Sequence, residues 1–335
     1  MLLKHFSDLV NQIYAASAEP SQWPAAVGAV AQAMDATRAL LFTPFVEPTN
    51  GGLIFPWRID ESDLMLWGTK YIDHDIWARN AQRKGLWRDG SVAIDQYLVA
   101  EEEFLDSVFY REFLSTMHLG RVCVGVVFEG SPGLPSTALS VFRDFNAPFG
   151  EDEREFMNLL MPHLSRALSL MHRLNRAAYL VESMRAALDR LRFGVILLNQ
   201  HMEVIHLNAA AQQVLNRNDG LQLDAKRCMT ASGFERRDGL RLEAWLRHLA
   251  TLSTLNRCSV GDTFEVQRSQ SQTKYCVQCH PLESTDPLVQ HEGAHYIVFV
   301  TDPHRLELPA PKQLQRQFGL TSAEARVALA MSPRW

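Results

Sequence analysis

Two stretches of this chain carry residue types and spacings that could do chemistry. The first is Cys276-Val277-Gln278-Cys279-His280, which has the C-x-x-C-H spacing of covalent haem attachment. That chemistry needs both thiols on one face with the histidine able to reach iron. Here the segment alternates as a strand, and a period of two sends Cys276 and Cys279 to opposite faces. The pattern therefore reads as two small strand residues, with a redox pair as the alternative. The 12 histidines are scattered, and no G-x-S-x-G, H-E-x-x-H or Walker loop is present. No pattern names a cofactor or a metal. The chain is expected not to be an enzyme, which leaves only a site assembled from residues distant in sequence.

The second stretch is the run of aromatics Trp57, Trp67, Tyr71, Trp77, Trp87, Tyr97, Phe109, Tyr110 and Phe113. Trp67 and Tyr71 lie four apart in a segment expected to be helical from Asp63 to Ile72, so they share one face. Asp75 follows one turn further on. Aromatic walls with an indole N–H, a phenol and a carboxylate suit a small ligand with an apolar body and an amide or lactone head. Trp67, Tyr71 and Asp75, with Trp57 and Trp87, are the expected ligand-binding residues. The competing reading is that these side chains are simply core. The Trp, Tyr, Asp, Trp order resembles the autoinducer-binding domains of LuxR regulators. The spacings after Tyr71 differ from that pattern, so the lactone is not carried over.

The elements that must position these residues come in a recognisable order. Ala39–Phe42 with Gly52–Phe55, and Arg121–Glu129 with Ala138–Arg143, read as two pairs of strands among amphipathic helices. That is an α+β sheet with helices on one face, and residues 1–150 resemble a GAF-like sensor domain. Residues 151–191 form one long helical pattern. From Leu160 the apolar positions step 4, 3, 4, 3, 4, 3 through Leu164, Ala167, Met171, Leu174, Ala178 and Val181, as in a coiled coil. After Val181 the phase slips to Met184, Leu188 and Leu191. Pro162 is expected to kink the helix. The segment reads as a connector pairing with its copy in a homodimer, with Leu164, Met171, Leu174 and Val181 in the seam. A helix folded back over its own domain is the alternative.

Within 192–302, Gly194-Val195-Ile196-Leu197-Leu198 and Val204-Ile205-His206-Leu207-Asn208-Ala209-Ala210-Ala211 resemble the opening of bacterial PAS modules. A helix over Leu240–Leu255 and three later strands complete that order. Residues 303–335 hold a proline-rich linker and then Phe318-Gly319-Leu320-Thr321-Ser322-Ala323-Glu324-Ala325-Arg326-Val327. Thr321 and Glu324 form a capping box. The run resembles the start of a LuxR-type helix-turn-helix, and the chain is identified as a LuxR-family regulator cut short inside that domain.

Composition sets the remaining bounds. The chain has 335 residues, 47% hydrophobic and 21% charged, with a formal net charge of −5. It has no overall basic character for nucleic acid. There is no signal-like apolar run at Met1-Leu2-Leu3-Lys4-His5 and no membrane-span pattern. Five cysteines make no disulfide framework. The expectation is a cytoplasmic α+β protein with two sensor domains joined by a long coiled-coil helix, ending in a helical stub. It is read as the ligand-sensing, dimerising part of a LuxR-type transcriptional regulator, meeting DNA only in a full-length form. The alternative is a sensor that heterodimerises with other regulators and binds no DNA.

Overall fold

Strand alternation accounts for the first sheet. In the computed structural model, β1 (Arg38–Phe42), β2 (Ile54–Trp57), β3 (Val92–Ile94), β4 (Arg121–Phe128) and β5 (Thr137–Arg143) form one antiparallel sheet in the order β2-β1-β5-β4-β3. Successive side chains point to opposite faces. Leu41, Cys123, Leu139 and Val141 therefore enter one core, and Leu40, Val122, Val124 and Ala138 enter another. Both faces are covered, which corrects the expectation of helices on one face only. The continuous apolar run along β4 is the physical reason, because a strand facing water on one side would alternate with polar residues.

The first core is closed by α1 (Leu2–Ala18), α2 (Trp23–Ala33) and the beginning of α7 (Glu151–Asp189). Helix α7 lies directly on the sheet at Gly125, where a Cβ would overlap the Met161 side chain. The second core is closed by shorter pieces: α3 (Glu61–Leu66), α4 (Ile76–Arg83), α5 (Asp95–Leu98), α6 (Glu101–Asp106) and the turns between them.

Helix α7 runs for 39 residues with Pro162 inside it, about 58 Å at 1.5 Å per residue. Met157, Leu160, Met161, Leu164, Ala167, Leu168 and Met171 are buried along it. Every residue from Arg173 to Ala187 is exposed.

The chain divides into two units, Met1–Tyr179 and Leu180–Trp335. The second holds β6 (Gly194–Leu198), β7 (Val204–Leu207), α8 (Ala209–Asn216), a small hairpin of β8 (Leu221–Leu223) and β9 (Met229–Ala231), then β10 (Asp262–Gln267), β11 (Lys274–Pro281) and β12 (Tyr296–Thr301). Its main sheet has the antiparallel order β10-β11-β12-β6-β7. With strands numbered in chain order within each sheet, both five-stranded sheets follow the path 2-1-5-4-3. The expected α+β class, with two sheet domains and a long helix, is what the chain adopts.

Asn208 is fully buried and fixes the start of the second unit. Its carboxamide oxygen accepts from the Ala211 and Val195 amides, capping α8, and its nitrogen donates to the Leu188 and Phe193 carbonyls. At the other end lies an ion cluster. Arg268 donates to Asp219 at 2.7 Å and to Asp302 at 3.3 Å, and Arg217 donates to Asp302 at 3.2 Å. Burial, the largest single influence, pushes the Asp219 carboxyl up. The Gln270 amide and Arg268 outweigh it and hold the group below its ordinary value.

The structure describes residues 2–44, 52–132, 134–231, 262–282, 293–302 and 310–331. The helix expected over Leu240–Leu255, most of the proline-rich stretch after Asp302 and the final Ser332-Pro333-Arg334-Trp335 lie outside them. No helix among the described residues is long and apolar enough to cross a membrane.

Candidate functional site

The second core of the N-terminal unit is not solid. Between the sheet and α3, α4 and the aromatic turns lies a cavity of about 80 Å³. Leu40, Phe42, Val122, Val124, Ser140 and Phe142 form its floor, on one face of β1, β4 and β5. Trp67, Trp77, Trp87, Phe109 and Phe113 form its walls, with Asp63, Asp75, Leu64 and Met117 among the remaining lining. Trp67 meets Phe42 edge-on with ring centres 5.4 Å apart, and Trp77 stacks on Phe104 at 4.9 Å. Such aromatic pairs set ring orientation as well as burying area.

Few polar groups reach this apolar space. Asp75 is the N-cap of α4 and accepts from the Ala78 amide at 2.9 Å. Burial pushes its carboxyl up to about 6, against the pull of the Ala78 amide, the Trp67 side chain and the Trp77 amide. The Trp77 indole nitrogen is buried and finds no acceptor among the described residues. A buried donor without a partner costs about 1–3 kcal/mol. Trp87 turns its indole N–H to the Ser136 hydroxyl at 3.0 Å.

The Asp75 shift makes a stability prediction. Its folded value lies above its unfolded one of 3.8, so it favours the folded chain fully only below the unfolded value. That contribution is lost as pH rises through about 6. The rise from 3.8 to about 6 corresponds to about 3 kcal/mol, a ceiling here because Asp75 keeps some exposed area. Asp75→Asn retains an oxygen for the Ala78 amide. It should match wild type near pH 4 and be the more stable above pH 6. Thermal melts of both proteins across that range check it, and parallel curves would sink the assignment.

Trp67, Asp75 and Trp87 line the cavity, but Tyr71 and Trp57 do not. Tyr71 is buried and stacks on Phe113 at 5.1 Å, while its hydroxyl is held by Lys70 and Glu112 near the surface. The expected α-helix ends at Leu66, and Trp67–Tyr71 is a π-helical turn. Tyr71 is kept out of the lining by its own partners, because its ring is taken up by Phe113 and its hydroxyl is anchored toward the surface. Trp57 sits on the other side of the sheet. It pairs across strands with Ala39, whose side chain enters the first core, and a Cβ at Gly28 of α2 would overlap its indole. Trp77 stands in the aromatic run but outside the five expected binding residues, and Ser140 and the other strand residues are additions to the lining. The signal for the strand residues is the period-two alternation of side-chain direction along β1, β4 and β5, with Ser140 as the polar residue in an apolar strand.

The expected dimer seam also needs correction. Leu164 and Met171 are each 1% exposed and belong to the chain's own first core. Met171 accepts the Trp23 indole N–H at 3.1 Å. Leu174 and Val181 are exposed. In the second unit, Cys279 is buried and Cys276 only partly so, on opposite faces of β11. Burial pushes the Cys279 thiol up to about 12, the behaviour of an inert core cysteine. Among the described residues no group of histidines, cysteines and carboxylates could hold a metal.

No family model matches the chain, and no curated protein matches it. Among solved structures, the VqsR LBD domain from Pseudomonas aeruginosa is 15% identical, covering 50% of this chain and 95% of that one at a TM-score of 0.39. The E. coli DhaR(N)–DhaL complex is 15% identical, covering 88% of this chain and 89% of that one at 0.39. A PAS domain of an HTR-like protein from Haloarcula marismortui is 12% identical, covering 39% and 96% at 0.23. At TM-scores under 0.5 these likenesses do not bear on what the chain does.

Proposed function

We propose that the chain is the sensory and dimerising part of a LuxR-type transcriptional regulator, and that its N-terminal cavity takes up a small molecule. The observation that carries this reading is a cavity with aromatic walls and two unlike polar groups. Asp75 accepts from a donor on the ligand head, and the Trp77 N–H gives to an acceptor. The space of about 80 Å³ is smaller than the roughly 150 Å³ that admits benzene in an engineered core. A ligand of drug-like size therefore repacks the partly exposed Trp67 and its neighbours, so that binding shifts a population of conformers.

The regulator part of the reading draws on the C-terminal helices. Helix Pro311–Phe318 ends at Gly319 with φ 65°, in the left-handed region. Helix Ser322–Met331 opens on a reciprocal box: the Thr321 amide donates to Glu324 at 2.8 Å, and the Glu324 amide to the Thr321 hydroxyl at 3.3 Å. Two short helices joined by a three-residue turn are how a helix-turn-helix begins. Such a protein works as a homodimer in the cytoplasm.

Mass spectrometry of what the purified, then denatured, chain releases tests the ligand reading. A molecule with an apolar body and an adjacent donor and acceptor is expected from wild type and not from Ala81→Phe, which fills the cavity. Trp77→Phe keeps an aromatic ring without the N–H and should weaken binding at least about tenfold, the worth of one hydrogen bond. If nothing is released, and no small aromatic or acyl amide in a panel raises the melting temperature, the cavity is not a ligand site.

A further inference from the structure

We propose that Leu170 to Leu188 of α7 pairs with the same segment of a second copy of this chain. The face it uses carries Leu170, Leu174, Ala177, Val181, Met184 and Leu188. The proposal rests on the dimer reading above and replaces the face expected from sequence. Leu164 and Met171 are occupied in the first core, so a seam containing them has no free upstream half. A second row with steps of 4, 3, 4, 3 and 4 shares Leu174 and Val181 with the first and takes Leu170 and Ala177 in place of Met171 and Ala178. Unlike the first, it runs to Leu188 without a change of phase. Leu170, Leu174, Val181 and Met184 are 43%, 46%, 57% and 57% exposed.

Three physical arguments name a second copy as the occupant. A 4-3 row is the spacing at which side chains of one helix enter the holes of another helix of the same period, so the partner is a helix. The chain leaves Arg173 to Ala187 uncovered on every side, and an isolated helix of that length is marginal in water. Parallel, in-register pairing sets each position against its own counterpart. The residues flanking the row then meet as Arg173 with Ala178 and Leu180 with Arg185, so no like charges oppose each other. Arg176 and Glu182 lie outside the contact. Val181 at an a position and Leu170 at a d position are the types that suit two parallel strands.

Light scattering on the full chain at micromolar concentration, with cross-linking, tests this. Wild type should be a dimer. Leu174→Glu with Met184→Glu should give monomers with the wild-type circular-dichroism spectrum at low temperature, because both side chains are exposed in the single chain. Leu174→Cys should form an interchain disulfide under mild oxidation that wild type, with its native cysteines, does not. A wild-type monomer overturns the dimer reading and this proposal with it. A wild-type dimer that survives the double substitution, or that Leu174→Cys does not cross-link, overturns this face alone.

Discussion

Arg268→Ala is expected to cost the C-terminal unit about 3–5 kcal/mol, the usual penalty for removing one partner of a buried ion cluster. The guanidinium side chain is 13% exposed, and the two carboxylates it holds, Asp219 and Asp302, are 4% and 3% exposed. Removing it strands charge away from water. It also uncovers the Tyr275 ring, over which Arg268 lies at 4.9 Å. Arg217 remains on Asp302 and the Gln270 amide on Asp219, so the unit should still fold at low temperature. Hydrogen exchange along β10 and β11 of the full chain reads the loss locally. The double-mutant cycle with Asp219→Asn should return a coupling of 1 kcal/mol or more, above the roughly 0.3–0.5 kcal/mol scatter of independent sites. Exchange unchanged in both strands would mean the cluster is solvated and contributes little.

Trp23→Ala should be as damaging to the N-terminal unit, by about 3–5 kcal/mol. Trp23 is fully buried, stacks on Phe55 with ring centres 6.0 Å apart and gives its indole N–H to Met171 of α7. One side chain thus joins α2, β2 and α7. Alanine leaves a cavity that three elements would have to collapse into, and two of them are held by their own contacts with the sheet. Trp23→Phe should recover more than half of the loss, since most of it is packing. Urea unfolding followed by exchange in β1 and β5 separates this transition from that of the second unit. Equal loss for Phe and Ala would mean that the indole N–H, and not the ring, holds the site.

Much of this fold could be read from local pattern. The pairing of β1 with β2 and of β4 with β5 follows from pairs of short apolar runs around turn residues. The caps at Asn208 and Thr321 follow from side chains that must satisfy free amides. What local pattern does not carry is a choice between equivalent faces. The expected strand Gly52–Phe55 stops short of Trp57, and which layer Trp57 meets depends on the register of β2 with Ala39 and Leu41. Trp67 and Asp75 could be picked out as a wall and an acceptor. The stacking of Tyr71 on Phe113 and the hold of Glu112 on its hydroxyl join residues some forty positions apart, which no local pattern announces, and they keep Tyr71 out of the cavity. On α7 two apolar rows coexist. Only the tertiary structure says that the first is occupied as far as Met171, while Leu170 and the positions from Leu174 onward are free.

The burial of Leu160, Leu164, Leu168 and Met171 against the first sheet also fixes where the protein can be cut. A fragment ending near residue 150, at the start of the long helix, would expose Gly125 and the strand residues beside it as an uncovered apolar surface. It should be recovered from inclusion bodies. One ending just past Met171 keeps its whole core and leaves behind the exposed row, so it is the fragment to crystallise with candidate ligands. A small molecule found in it would be traced to the N-terminal cavity without the second unit in the drop.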